Sequence, residues 1–92
     1  AMSSWDILLS KESVKFLRRN HLSDTMATDT IILAIKKLSG ENINLDLKKL
    51  HPPYEGYFRM RIGRIRITFS IDFSQHVVNV AEINWRGSAY RK

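Results

Sequence analysis

The sequence of 92 residues contains no cysteine, two prolines and four glycines. Without cysteine the chain forms no disulfide and no thiolate site, which agrees with a reducing, cytoplasmic location. No apolar run approaches the roughly 18 residues of a membrane helix, so no membrane partner is expected. We see no signal-peptide pattern, and we interpret Ala1 before Met2 as a cloning remnant. The length predicts a single domain, residues 1–92.

Acidic residues are scarce in the second half of the chain. Residues 48–92 hold nine basic and three acidic side chains, whereas residues 1–47 hold six of each, so the second half supplies the whole net charge of +6. Such asymmetry indicates a polyanion such as nucleic acid, with a merely basic surface as the alternative. The few carboxylates disfavour a two-metal nuclease. His21, His51 and His76 lack the spacing of metal ligands, and we expect neither metal nor cofactor.

Apolar periodicity predicts a strand at residues 5–9, helices at about 10–20 and 24–39, an irregular connection at 41–56, a hairpin at 57–71 and a strand at 76–83. Ser10 and Ser23 are suited to cap the helices, and Gly40 to end the second one. The order β-α-α-β-β-β is typical of an α+β domain. In it, an N-terminal helical hairpin packs on one face of a small, mainly antiparallel twisted sheet.

The predicted hairpin has the sequence YFRMRIGRIRITF, in which apolar residues alternate with residues that are largely arginine. Gly63-Arg64 suits a two-residue type II′ turn, because the first central position needs a positive φ. Counting outward from the turn places Arg61 opposite Arg66 and Arg59 opposite Thr68 on an open face. Like charges in this arrangement cost a few tenths to about 1 kcal/mol, and a bound anion would relieve that repulsion.

Arginine, lysine and tyrosine together suit one reaction that needs no metal, the attack of an RNA 2′-OH on its own phosphate. That reaction needs in-line positioning, a base, an acid, and cations for the charge on phosphorus. Arginine binds two phosphate oxygens together, and neighbouring cations lower the pKa of a lysine or tyrosine from about 10. These residue types alone do not separate cleavage from phosphate binding.

Three features resemble the RelE/ParE toxin superfamily, on the side of the RelE-type mRNA interferases. They are the predicted helical hairpin between the first strand and the later strands, the segment KKLHPPYEGYFRMRIGRIRITFSID, and the tail WRGSAYRK. The resemblance implies a RelE-like toxin of a type II toxin–antitoxin system. It further implies a metal-independent endoribonuclease that cleaves mRNA in the ribosomal A site. Such a protein is monomeric when free and heteromeric with its cognate antitoxin.

The resemblance also implies roles for individual residues. Arg61 would stabilise transition-state charge, Arg86 would contact the scissile phosphate, and Tyr90 would stack on a base or transfer a proton. One of Lys48 and Lys49 is a candidate base, and we place Lys49 in the catalytic set. Further RNA contacts are assigned to Lys48, Arg59, Arg66, Trp85, Arg91 and Lys92. Two alternatives remain for Trp85, which stands where the family often has histidine: stacking on a base or packing on the core. Arg66 either positions phosphate or pairs with a carboxylate such as Glu82.

Two other functions remain open from the sequence. A ParE-type relative would inhibit DNA gyrase and cleave no RNA, but that branch generally lacks the full set of Arg61, Arg86 and Tyr90. A non-catalytic relative would use its arginines only to bind nucleic acid, with salt-dependent affinity.

Overall fold

The computed structural model describes residues 5–85, which form a five-stranded sheet and two helices. In chain order the elements are β1 (Asp6–Leu9), α1 (Lys11–Arg19), α2 (Asp24–Leu38), β2 (Asp46–Lys49), β3 (Tyr57–Ile62), β4 (Ile65–Asp72) and β5 (Val77–Trp85). The strand order is β1-β5-β4-β3-β2, and every pair is antiparallel except β1 with β5. The predicted α+β class, with helices on one face of a mainly antiparallel sheet, is confirmed.

The helices begin where the sequence predicts. The Ser10 hydroxyl accepts the Ser13 N–H at 3.1 Å, and the Ser23 hydroxyl accepts the Met26 N–H at 3.2 Å, so each satisfies an N–H that the helix leaves unpaired. Asn20 caps the end of α1, and His21, with φ of 57°, adopts the left-handed conformation.

Strand β2 lies within the stretch predicted to be irregular. It has four residues, DLKK, of which only Leu47 is apolar, so no alternating pattern is long enough to reveal it. Its pairing with β3 makes it a strand, with Asp46 opposite Arg61 and Lys48 opposite Arg59. This edge strand was therefore not predicted from the sequence, and neither was the position of its charged side chains beside the arginines.

The hairpin of β3 and β4 has the predicted register. All six pairs are observed, including Arg61 with Arg66 and Arg59 with Thr68. In the turn, Gly63 has φ of 56° and Arg64 has no positive φ. A type I′ turn would need positive φ at both positions, so the observed signs of φ favour the predicted type II′ turn.

A β-bulge interrupts β5. Phe69 pairs with Val80 and Thr68 pairs with Glu82, which leaves Ala81 as the extra residue. Side chains alternate along a regular strand, but the bulge shifts that alternation, so Val80 and Ile83 are both buried. The Ser10 hydroxyl donates to the Ala81 carbonyl oxygen at 2.7 Å and thereby ties α1 to the bulge.

The turn between β4 and β5 is organised by Asp72. Its carboxylate accepts the Ser74 hydroxyl at 2.8 Å and the Ser74 and Gln75 N–H groups at 3.0 Å. These bonds, chiefly those from the Ser74 hydroxyl and the Gln75 N–H, favour the charged form and lower the pKa of Asp72. Their contribution to stability is present above the ordinary pKa and is lost as the pH falls through the lowered value.

The core lies between the helices and one face of the sheet. Its buried apolar residues come from both helices and from β3, β4 and β5: Phe16, Leu17, Ala27, Ile31, Ala34, Ile35, Met60, Ile65, Ile67, Phe69, Val78, Val80 and Ile83. Within residues 5–85, no helix is both long and apolar enough to cross a membrane. The sheet face opposite the helices, hereafter the outer face, carries the charged residues of β2 to β5.

Candidate functional site on the outer face

One row of side chains crosses four strands of the outer face. Asp46 pairs with Arg61, Arg61 with Arg66, and Arg66 with Asn84. Directly opposed residues lie about 5 Å apart, so the two arginine side chains leave the sheet side by side. The Arg61 side chain is 31% exposed. An anion bound by both arginines would offset their repulsion.

A second row lies beside the first and is offset from it by two residues on each strand. It consists of Lys48, Arg59, Thr68 and Glu82 on consecutive strands. Two residues of a strand span about 7 Å, which separates the rows. A pocket of about 360 Å³ opens over the second row and is lined by Leu50, Tyr54, Arg59, Arg66, Thr68 and Glu82. The outer face thus offers a cationic row with an adjoining pocket.

Asp46 joins two arginines of the outer face. Its Oδ1 lies 3.2 Å from the Arg59 Nη1, and its Oδ2 lies 3.8 Å from the Arg61 Nη1. The Arg59 side chain is only 9% exposed, whereas that of Asp46 is 53% exposed. Arg59 therefore lies on the predicted face but is buried and paired there, contrary to the expectation of an open, RNA-facing arginine.

We expect Asp46→Ala to lower the free energy of unfolding by about 2 kcal/mol, measured by urea denaturation. Hydrogen bonds to charged groups contribute about 1.5–3 kcal/mol, and the variant leaves the Arg59 charge buried without a carboxylate. The double variant Asp46→Ala/Arg59→Met should recover most of that loss because it removes both charges. The matched control is Asp29→Ala, at an exposed position of α2. Equal losses in the two single variants would contradict this role of Asp46.

The register separates the two lysines of β2. Lys48 lies beside Arg59 on the outer face. Lys49 is opposite Phe58, whose ring stacks on the buried Phe69 ring at 5.7 Å, so alternation directs Lys49 to the helix side. The structure therefore brings Lys48, and not the predicted base Lys49, to the face that carries Arg61.

Trp85 also lies on the helix side. It is opposite Ile65, a core residue, and its ring meets the Phe16 ring edge-on at a centroid distance of 5.3 Å. Of the two alternatives for Trp85, the structure shows packing on the core, on the face opposite Arg61. Trp85 remains 40% exposed.

Arg66 lines the pocket together with Glu82, but the ion pairs among residues 5–85 are those of Asp46, and none joins Arg66 to Glu82. Four predicted site residues lie outside the described part of the chain: Arg86, Tyr90, Arg91 and Lys92.

No group of three or more histidine, aspartate or glutamate side chains in the described part of the chain is arranged to hold a metal ion. His21, His51 and His76 are exposed, as predicted.

Sequence reasoning missed Asp46, Tyr54 and Leu50 as members of the outer face. In the sequence, the apolar Leu47 stands between the charged Asp46 and Lys48. That alternation is compatible with a short strand and was the one indication that Asp46 could lie on the outer face. Leu45 and Leu47 pack against the core, whereas Leu50 lines the pocket.

Comparisons with known proteins bear on the fold. No protein-family model and no curated protein matches the chain. The RelB–RelE antitoxin–toxin complex from Methanococcus jannaschii contains a chain 26% identical to this one; the match covers 90% of this chain and 94% of that chain, with a TM-score of 0.58. A chain of the RelE–RelB complex from Pyrococcus horikoshii OT3 is 21% identical. That match covers 92% of this chain and 98% of that chain, with a TM-score of 0.64.

A chain of the YoeB dimer from Staphylococcus aureus is 16% identical. That match covers 90% of this chain and 98% of that chain, with a TM-score of 0.63. At such identities the similarity concerns the arrangement of helices and strands over nearly the whole of each chain. These matches confirm the resemblance to the RelE-type toxin superfamily, whose fold this chain has.

Proposed function

We propose that this protein is the toxin of a type II toxin–antitoxin system and a metal-independent endoribonuclease. In this proposal it cleaves mRNA in the ribosomal A site by attack of the 2′-OH on the adjacent phosphate. The observation that carries the proposal is the cross-strand pair of Arg61 and Arg66 on the outer face of a RelE-type fold. The Arg61 side chain is 31% exposed, so part of its guanidinium group is accessible to a phosphate oxygen.

Charge on the phosphate oxygens increases as the 2′-oxygen attacks. Donors fixed in advance at that position lower the barrier, because no reorganisation is needed when the charge develops. Arginine suits the task since its planar fork donates two parallel hydrogen bonds to one phosphate. We assign the transition-state role to Arg61 and the positioning of phosphate to Arg66.

The remaining roles fall to a lysine and to the tail of the chain. Lys48 shares the outer face with Arg61, so we transfer to it the role of base that the sequence suggested for Lys49. Arg86 is proposed to contact the scissile phosphate and Tyr90 to stack on a base or transfer a proton, as the resemblance implies. Arg91 and Lys92 are proposed to add phosphate contacts.

The proposed protein partner is a cognate antitoxin. Two of the similar solved structures are complexes of a toxin with its antitoxin, which supports such a partner here. The positive surplus of the second half favours an antitoxin segment that is acidic or amphipathic. We propose that the toxin is cytoplasmic and monomeric until it binds this segment.

The function is tested by adding the purified, EDTA-treated protein to a translation reaction that contains ribosomes and a defined mRNA. We expect translation to stop and mRNA fragments to end in a 2′,3′-cyclic phosphate or a 3′-phosphate. Intact mRNA together with inhibition of DNA gyrase would contradict the proposal and identify a ParE-type function. Salt-dependent RNA binding without cleavage would identify a non-catalytic relative.

A further inference from the structure

The pocket beside the arginine pair is lined by two arginines, Arg59 and Arg66, and by a carboxylate, Glu82. We propose that this pocket binds a guanine base of the RNA and that Glu82 reads the base by accepting its N1–H and N2–H groups. The inference rests on the proposed function and extends it by a residue that determines base preference.

The fold directs Glu82 to the outer face by a specific device. Val80 faces the core, so in a regular strand Glu82 would face the core as well. The extra residue Ala81 shifts the alternation and places Glu82 opposite Thr68, on the outer face. Bulges that re-aim a side chain are frequent beside functional sites.

Glu82 has no structural task among the described residues that would explain its position. It is exposed, and neither of the ion pairs formed by residues 5–85 includes it. A carboxylate here repels phosphate, which weakens nucleic-acid binding unless the carboxylate accepts hydrogen bonds from another part of the ligand. An ionised carboxylate only accepts, so its partner must present N–H groups.

The geometry matches one nucleotide. The arginine pair lies in the first row and Glu82 in the second, and the backbone positions of the two rows are about 7 Å apart. The long arginine and glutamate side chains can therefore reach the phosphate and the base of the same nucleotide. The pocket volume, about 360 Å³, lies in the range of small-ligand sites, about 300–1,000 Å³. Tyr54, which lines the pocket and is 61% exposed, offers a ring on which a base can stack.

Guanine fits this acceptor better than the other bases. Its N1–H and N2–H groups are adjacent and parallel, so they can both bind one carboxylate. Adenine and cytosine offer only an amino group. In uracil the single N3–H lies between two carbonyl oxygens that a carboxylate repels. The expected order of preference is therefore guanine first and uracil last.

The test measures binding of 3′-GMP, 3′-IMP and 3′-UMP to the full chain by calorimetry; 3′-IMP differs from 3′-GMP only in lacking the amino group. We expect the wild type to bind 3′-GMP about tenfold more tightly than 3′-UMP, with 3′-IMP between them. Glu82→Gln should abolish most of that preference by weakening 3′-GMP binding, while 3′-UMP binds equally or more tightly because a negative charge is lost.

Glu41→Gln is the matched control, since it removes one negative charge from an exposed position outside the pocket. It should preserve the preference for guanine. At the stacking position, Tyr54→Ala should weaken the binding of all three nucleotides alike, because the ring is lost. An unchanged ratio of 3′-GMP to 3′-UMP affinity in Glu82→Gln, or an equal loss for both, would overturn the proposal.

Cleavage assays distinguish this inference from the proposed function. Guanine preference in binding that depends on Glu82, with no cleavage of any RNA, would overturn the proposed function and leave the base pocket standing. Cleavage whose sites show no preference for guanine, in the wild type or in Glu82→Gln, would overturn the base pocket and leave the function standing.

Discussion

Arg61→Ala should lower the rate of mRNA cleavage by about 100-fold or more while the protein keeps its fold. Removal of one preorganised donor to a developing oxyanion typically costs a factor of about 10²–10³. Stability should stay the same or rise by a few tenths of a kcal/mol, because the variant removes one of two opposed like charges. The measurements are single-turnover cleavage and urea unfolding of the same preparation.

Arg64→Ala is the control for Arg61→Ala. Arg64 is an arginine of the same hairpin, but it lies exposed in the turn rather than in the cationic row. It loses the same charge and should keep cleavage within about threefold, the range of long-range effects at a screened surface. Equal loss of cleavage in the two variants would reduce Arg61 to a contributor of net charge, and full activity in Arg61→Ala would remove it from the site.

Phe69→Ala should have the largest effect on stability, about 3–5 kcal/mol. Phe69 is fully buried in β4 and stacks on Phe58 at a centroid distance of 5.7 Å. The free energy of unfolding of small domains is only about 5–15 kcal/mol, so this variant should lose a large part of its stability. Thermal and urea unfolding measure the change.

Phe73→Ala gives the comparison at an exposed phenylalanine. Phe73 is 48% exposed and contacts the Trp5 ring edge-on at 5.7 Å. Its loss should cost about 1 kcal/mol or less, since an aromatic pair contributes about 0.5–1.5 kcal/mol and this one is partly solvated. Similar losses for the two phenylalanines would mean that the core does not lie where the structure places it.

The hairpin was predictable because residues close together in the sequence determine its turn and its register. Alternation, the Gly63-Arg64 turn and counting outward together give every pair of β3 with β4. Strand β2 was not predictable, because four mostly charged residues become a strand only by pairing with β3. For that reason the sequence does not decide between Lys48 and Lys49 as the base, since the choice depends on the register of a strand that the sequence does not reveal.

The outer-face position of Glu82 also required the structure. No residue type around Ala81 predicts a bulge. In a regular strand, the alternation of side chains would direct Glu82 toward the core. The parallel pairing of β1 with β5 joins residues about 70 positions apart, such as Ile7 and Val78, and such pairing leaves no local pattern. The sequence did show which residues carry charge, and the structure showed which of them share a face.

The position of β5 affects how the protein is made. β5 is the last of the described strands to leave a ribosome, yet it lies between β1 and β4. Until it emerges, β1 has no hydrogen-bonding neighbour, and the Ser10 hydroxyl lacks its acceptor on Ala81. A nascent chain without β5 can form helices and a hairpin but not the finished sheet. If the protein cuts mRNA on ribosomes, the ribosome that synthesises it is therefore protected until β5 has emerged.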